Sequence, residues 1–475
     1  MGQGGKMMLV NKTPNRWKKT YQHSYQMNAW DDSFPAYIEA GQVVSVYVEW
    51  NQAGTESDDA GEIRYEIEGT GSIFEVRARA KNGFDLQVYL SNFPTQNYSS
   101  RSTIRLGWQH DGVVIFALAG AGSPWYSYGS SQSAAEWMSF VYDDTLLTDL
   151  TIPGTHDTAT YRIGEGVIDK LSAQVLNTLF NDLPGVLRNF AEGLGYGLKQ
   201  IIANSAQCQT LDINGQLAAG VRFFDIRLNN VNNQLMAYHA AVPLLVSLDE
   251  LLSHCYGFLR INPTESIIMS IKCEDGSAIS GLVGNAINAK SDYWFCENRI
   301  PMMKEMRKKI VLFRRYDMGK NESPIGIDAS FWPDNTPFHH VNDAGIKFTV
   351  QDEYKIYLLG QLDHKFDNYV LPCLTEALNP AKKERLFLNF LSGSGGVFPA
   401  TLAVYNQFFT GTNVLMSRHM DGWSNKRLGI VPIDYPESPA NGTLIHQLFL
   451  LNQFSKKPHT AVEKAAVAEE GEAIA

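Results

Sequence analysis

No run of about 18 apolar residues occurs in the 475-residue chain, so no segment predicts a membrane-spanning helix. Positive charge is not in excess: 40 Lys and Arg stand against 50 Asp and Glu, a formal net charge of −10. That balance lacks the basic footprint of nucleic-acid binding. The five cysteines, Cys208, Cys255, Cys273, Cys296 and Cys373, lie far apart with no CxxC pair. They are expected to be buried thiols, and neither a zinc site nor a cofactor is expected. The opening MGQGGKMMLV lacks the apolar stretch of a signal peptide. Gly2 is a weak myristoylation candidate, because Lys6 stands where the acceptor pattern takes Ser or Thr. The expected location is the cytoplasm or a membrane surface, with non-classical secretion left open.

What is present suffices for more than one core. The length suggests two or three units, and two are expected: residues 1–135 and 136–458, followed by a disordered tail, 459–475. Period-two alternation runs from about Tyr37 to Leu118, with Val44, Val46, Val48 and Trp50 on one face. Several short strands divided by Gly, Asn and Asp turns predict an antiparallel all-β sandwich. The acidic loop Glu56, Asp58, Asp59 and Glu62 reads as a solvated hairpin or a calcium loop without EF-hand spacing. Trp17, Tyr21, Tyr25, Trp30, Phe34 and Tyr37 read as sandwich core or as a lipid or glycan contact surface.

After Gly120 to Ser133 the texture changes to short apolar runs spaced by longer amphipathic segments. The runs are Leu150 to Ile152, Val221 to Ile226, Ser266 to Ile271, Ile310 to Phe313, Ile346 to Val350, Leu386 to Phe390 and Gly429 to Ile433. With one weaker member they suit an eight-stranded α/β barrel. Apolar residues three or four apart from Val167 to Ile202 predict an inserted helical segment, 164–204, broken near Pro184. Ser392 to Gly396 (SGSGG) lacks the Lys and Ser or Thr of a nucleotide loop and reads as a turn.

Nearly every candidate strand of this second unit ends in groups able to handle a phosphate. His156 and Asp157 follow the first run, Asp225 and Arg227 the second, and His239 follows Met236, Ala237 and Tyr238. Lys272, Arg315, Asp352 with Tyr354, and Asp434 close later runs. Carboxyl ends of parallel barrel strands converge on one face, so these residues are expected in one pocket. Arg222, Lys309 and Arg314 are read as solvated or pairing residues, and His254 and His446 as structural.

The segments TIPGTHDTATY, CQTLDINGQLAAGVRFFDIRL, YHA, ESIIMSIKCE, IVLFRRY, FTVQDEYK and GIVPIDY resemble, in order, the X-domain of bacterial-type phosphatidylinositol-specific phospholipase C, over about Leu146 to Tyr435. The resemblance implies a distorted TIM barrel and an inositol-phospholipid substrate at a membrane surface. It also implies roles: His156 as general base on the inositol 2-hydroxyl, oriented by Asp434, and His239 as general acid, supported by Asp157. A neighbouring carboxylate is expected to raise the histidine pKa and fix its tautomer. Calcium-dependent relatives carry an acid at the position of Arg227 and Asn after the first histidine. Arg227, with Asp157 directly after His156, therefore implies metal-independent turnover, a guanidinium neutralising the phosphate oxygens. Lys272, Arg315, Asp352 and Tyr354 are implied headgroup contacts, with Arg314 as the alternative to Arg315.

The inserted segment is expected either to lie on a membrane through Leu179, Phe180 and Leu183 or to pack as a helical hairpin on the barrel wall. Two competing functions remain at this point: a lipid- or glycan-binding effector with a slow or vestigial barrel, and another barrel phosphodiesterase whose pocket holds a metal-binding carboxylate set. Arg227 fits the latter poorly.

Overall fold

The computed structural model describes residues 3–454 except 52–57, 109, 123–124, 132, 194–195, 320–321, 357–358, 396, 405–409 and 439–442. The expected tail, 459–475, and Glu56 of the acidic loop lie outside the described residues.

The seven apolar runs form parallel strands that stand side by side. In spatial order they are Lys309–Arg315, Ser266–Cys273, Phe223–Val231, Thr151–Thr155, Gly429–Ile433, Arg385–Asn389 and Lys347–Gln351. They read as near-continuous apolar runs because both faces are covered: every residue of Thr151–Thr155 and Gly429–Ile433 is buried. Tight strand packing fixes two glycines. A Cβ on Gly154 would meet the Phe223 ring at 2.8 Å, and one on Gly429, at φ +76°, would meet the Phe387 carbonyl oxygen at 2.5 Å.

The eighth strand is replaced by two short pieces. Ile327–Asp328 pairs with Lys309–Arg315, and Phe338–Val341 runs antiparallel to Lys347–Gln351. Among the described residues no ladder joins these pieces. Side chains span the gap: Asn342 Nδ2 donates to the Asp328 carbonyl at 3.0 Å, and the Phe313 and Phe348 rings lie 5.9 Å apart. The barrel is thus closed by packing, which makes it distorted. One expectation is corrected here. His239 ends no parallel strand but sits on an antiparallel hairpin, Gln234–His239 with Val242–Ser247, that extends from Phe223–Val231.

Residues 3–129 form a five-stranded and a six-stranded sheet around a shared core that includes Trp17, Trp50, Tyr65 and Phe74. The first strand, Gln3–Lys12, precedes the stretch expected to alternate, and it pairs in parallel with Val113–Ala119. The arrangement is therefore mixed, not antiparallel throughout. Of the early aromatics, Trp17, Trp30 and Phe34 are buried, whereas Tyr21, Tyr25 and Tyr37 are exposed. Arg64 covers the Tyr21 ring and Arg16 the Tyr37 ring. Glu62 of the acidic loop pairs with Arg79 at 2.6 Å.

These sheets are not tethered loosely. Met8, Val10, Ile115, Ala117 and Tyr128 join the barrel's own hydrophobic cluster, and Tyr128 meets His446 and Phe449 of the helix Thr443–Leu450 edge-on. Lys12 Nζ reaches the Asn452 carbonyl, whose side-chain amide donates to the carbonyl of Thr151. Contact thus extends to the amino ends of the barrel strands, away from the face that carries His156.

The inserted segment forms three helices, Ala173–Asp182, Gly185–Gly193 and Leu198–Ala206, the first capped by the extended Leu183 before Pro184. Leu176, Leu179, Ile202 and Ala206 enter the barrel's cluster, while Leu187 and Ile201 pack on Phe398 with Phe180 and Leu183 against them. Leu179 is buried and Phe180 and Leu183 are half-buried against these clusters, as expected of the alternative in which the segment packs on the barrel wall. Val175 and Tyr196 are the exposed large apolar residues of this segment among those described. Among the described residues no helix is long and apolar enough to cross a membrane.

Candidate active site

The carboxyl end of Thr151–Thr155 sets the site. Thr155 Oγ1 and Thr158 Oγ1 are hydrogen-bonded at 2.9 Å, and the Asp225 N–H donates to Thr158 Oγ1 at 2.9 Å, locking the turn to the neighbouring strand. Within it Asp157 adopts the left-handed conformation, φ 44° and ψ 54°, at a cost of about 1–3 kcal/mol. The turn brings His156 to the lining of the cavity and places the Asp157 carboxylate behind it, 3.0 Å from His156 Nε2. Gln209 Nε2 donates to the carbonyls of His156 and Ile433, at 2.7 and 3.0 Å, tying the His156 turn to the strand that precedes Asp434.

The cavity has a volume of about 470 Å³, and His156, Arg227, His239, Lys272, Arg315, Asp352 and Tyr354 all line it. The two imidazole rings are 6.4 Å apart, centre to centre, and nearly perpendicular. His156 Nδ1 meets Asp434 Oδ1 at 2.9 Å. Burial, with Arg227 adding to it, pushes the His156 ring well below its ordinary pKa, and burial pushes the Asp434 carboxyl well above its own. Both shifts disfavour an ion pair, so one proton serves that contact and His156 stays neutral. The expected upward shift from a neighbouring carboxylate is outweighed by desolvation.

Both reactive nitrogens converge on Asp157. His156 Nε2 lies 3.0 Å and His239 Nε2 3.2 Å from Asp157 Oδ2. The sequence reading gave Asp157 to His239 alone. His239 Nδ1 contacts the Ala206 carbonyl at 2.7 Å, and a carbonyl only accepts, so Nδ1 carries the hydrogen. A neutral His239 would then aim a lone pair at a carboxylate. The geometry requires a further proton between Nε2 and Oδ2, and burial raises Asp157 to about 6, which helps retain it.

Arg227 is the hub of the charges. It meets Asp157 Oδ1 at 2.8 Å, Asp225 Oδ2 at 3.0 Å and Glu274 Oε1 at 3.2 Å. Burial opposes ionisation of Asp225, yet Arg227 and Arg315 hold its carboxyl below the usual range. Burial likewise opposes ionisation of Glu274, and Arg227 with Lys272 bring it down to about 2. Lys272 Nζ donates to Glu274 Oε2 at 2.6 Å. Arg315 donates to Asp225 Oδ1 at 3.2 Å and lies 3.6 Å above the Trp332 ring. Arg314 turns away, to Asp328 at 2.5 Å and the Tyr316 carbonyl, so Arg315 is the one of the two adjacent arginines that lines the cavity. Trp332 Nε1 donates to Asp352 Oδ2 at 2.9 Å, and the Tyr354 hydroxyl donates to Asp334 Oδ1 at 2.7 Å.

Several contributors escaped the sequence reading. Glu274 was legible, two residues after Lys272 on the same face of a strand. Trp332 and Asp334 lie on irregular chain with no periodicity to mark them. Lys365 is buried, donates to the Glu353 and Ser392 carbonyls, and is lowered to about 8 by burial. The stretch read as a turn lies at the rim: Gly393 and Ser394 line the cavity, and Ser394–Gly395 bridges to Lys355–Ile356.

No family model matches the chain. It is 28% identical over 344 residues to a 1-phosphatidylinositol phosphodiesterase of Staphylococcus aureus strain NCTC 8325 / PS 47, covering 68% of this chain and 90% of that one. A Listeria monocytogenes protein of the same name is 27% identical over 320 residues, covering 65% and 83%. A solved S. aureus phosphatidylinositol-specific phospholipase C, from work on its membrane binding, superposes with a TM-score of 0.52 at 24% identity over 67% of this chain and 98% of that one. Barrel and sequence likeness agree, and the chain is a homologue of the bacterial 1-phosphatidylinositol phosphodiesterases.

Proposed function

We propose that this chain is a phospholipase C type phosphodiesterase that cleaves phosphatidylinositol to diacylglycerol and inositol phosphate, through a cyclic inositol phosphate. The observation that carries the reading is the pair of imidazoles 6.4 Å apart over a guanidinium held by three carboxylates. His156 Nε2 takes the proton of the inositol 2-hydroxyl as its oxygen attacks phosphorus. The bond from phosphorus to the diacylglycerol oxygen breaks, and that oxygen takes the proton shared by His239 and Asp157. Water then opens the cyclic phosphate with the two roles exchanged. Arg227 faces the nonbridging oxygens, the task a calcium ion performs elsewhere, so turnover is metal-independent.

Lys272, Arg315, Asp352 and Tyr354 hold the inositol hydroxyls. Arg227, Lys272 and Arg315 each already face a carboxylate, which favours an inositol ring without extra phosphates, free or glycosylated. The protein works from the periphery of a membrane, with the segment that bears Val175 and Tyr196 nearest the lipid. Residues 3–129 act as an accessory β-sandwich buttressing the barrel's flank. A vestigial barrel is not favoured, because each group of the reaction has a partner that orients it. The test is release of water-soluble inositol phosphate from vesicles of phosphatidylinositol, its phosphorylated forms and a glycosylated form, with and without EDTA. Unphosphorylated phosphatidylinositol is cleaved fully in chelator; turnover that needs calcium, or a polyphosphorylated substrate preferred, overturns the reading.

A further inference from the structure

Cys208 is a buried free thiol that the proposed reaction does not use, and its surroundings are unusual for an inert one. Its Sγ lies within 4.8 Å of ligand atoms of His239 and Asp157, and within the same distance of ligand atoms of His156 and Asp434. The thiol thus sits between the two histidine–carboxylate pairs. Three details prepare the His239 side for a metal ion. His239 Nδ1 is committed to the Ala206 carbonyl at 2.7 Å, two residues before the thiol, and a backbone carbonyl on one ring nitrogen leaves the other as the ligand. Asp157 Oδ1 is held by Arg227 at 2.8 Å, leaving Oδ2 towards His239 Nε2 at 3.2 Å, with His156 Nε2 on its other side at 3.0 Å. Asp157 is 2% exposed, and neither of its oxygens accepts a hydrogen bond of good geometry.

We propose that His239, Asp157 and Cys208 form an inhibitory site for a thiophilic divalent cation of the zinc class, entering through the substrate cavity. One imidazole nitrogen, one carboxylate oxygen and one thiolate, with a water in the fourth position, satisfy tetrahedral zinc. The ion takes the place of the proton that His239 and Asp157 share, and the Cys208 thiol gives its own proton to solvent as the sulfur–zinc bond forms. No oxidation is involved. Binding therefore removes the general acid and releases protons, so inhibition strengthens as pH rises. Magnesium and calcium, which prefer oxygen ligands, do not substitute.

This regulation rests on the proposed reaction, and its test separates the two. Metal-free protein is titrated with Zn2+ by calorimetry, and with Cd2+ while following the sulfur-to-cadmium charge-transfer absorbance; phosphatidylinositol cleavage is measured in parallel. Wild type binds Zn2+ with micromolar or better affinity, shows the Cd2+ band and loses activity reversibly to EDTA. Cys208→Ser and Cys208→Ala lose the band, bind Zn2+ at least about 10-fold more weakly and keep activity at zinc levels that silence wild type. If either variant misfolds, the Cd2+ band of the wild type and its suppression by saturating inositol phosphate decide instead. No band, or zinc inhibition unchanged in both variants, overturns the proposal. Metal binding with the band, but no lipid cleavage in metal-free buffer, leaves the site standing and overturns the enzymatic reading.

Discussion

Arg222 and Arg227 stand at opposite ends of one stretch of barrel strand, and both are ion-paired away from bulk water, yet the two ends are built differently. Arg222 is wholly buried with Glu265 at 2.8 Å, and its remaining hydrogens go to the carbonyls of Leu217, Val221, Ala134 and Ala135. Nothing is left over, and the side chain is wholly out of solvent. Arg227 instead joins three carboxylates beside a cavity of about 470 Å³, amid buried oxygens of Asp157 and Asp434 that accept no hydrogen bond of good geometry. A buried charge that is fully satisfied holds a fold together; one left with surplus partners facing a void is arranged for an incoming ligand.

The sharpest way to break that contrast is to remove each arginine. Arg227→Met lowers inositol phosphate release by about 100- to 1,000-fold, the loss typical of a charge-stabilising donor. Arg222→Met strands Glu265 and costs about 3–5 kcal/mol of stability, read as a fall in melting temperature, while the folded fraction keeps its turnover. Pairing it with Glu265→Leu recovers most of the loss. If both arginines cost stability alone, the distinction fails.

A subtler effect is expected at Asp157, whose burial raises it to about 6. A carboxyl raised on folding is destabilising wherever it is ionised. Asp157→Asn should therefore melt higher than wild type at pH 7 while losing most of its activity. The advantage should hold steady above pH about 6, begin to shrink as pH falls through about 6, where the native carboxyl takes up its proton, and vanish only below the ordinary carboxylate value of about 3.9. Scans between pH 4.5 and 8, on the order of half a unit apart, measure this; an advantage independent of pH contradicts it.

Smaller still is the shift of the rate profile. His156 is held below its ordinary pKa by burial, so the base remains available well under pH 6.5, the unperturbed value. The proton that burial favours on Asp157, raised to about 6, is lost as pH rises. The kcat/KM profile is expected to peak on the acid side of neutrality and decline above it.

The barrel was legible because its strands are short apolar runs ending in charge, such as Val221 to Ile226 followed by Arg227, and that pattern survives without any partner in view. His239 was legible as a residue but not as a position: an antiparallel hairpin and a parallel strand share the same period of two. The inserted helices announced themselves through Leu179, Leu183, Leu187 and Ile201, yet spacing cannot say whether an apolar face meets protein or lipid. Asp157 bridging two rings, the Ala206 carbonyl behind His239 and Trp332 under Arg315 are long-range contacts between irregular segments, and no local pattern encodes them.

The central claim is that two histidines move protons on opposite sides of one phosphorus. Phosphorus NMR of phosphatidylinositol vesicles treated with wild type, His156→Ala and His239→Ala addresses it directly. Wild type should show a cyclic phosphate diester first and the monoester later, and each variant should slow the first step by about 100- to 10,000-fold without losing its fold. A monoester formed with no cyclic precursor, or either variant turning over at the wild-type rate, would contradict the account.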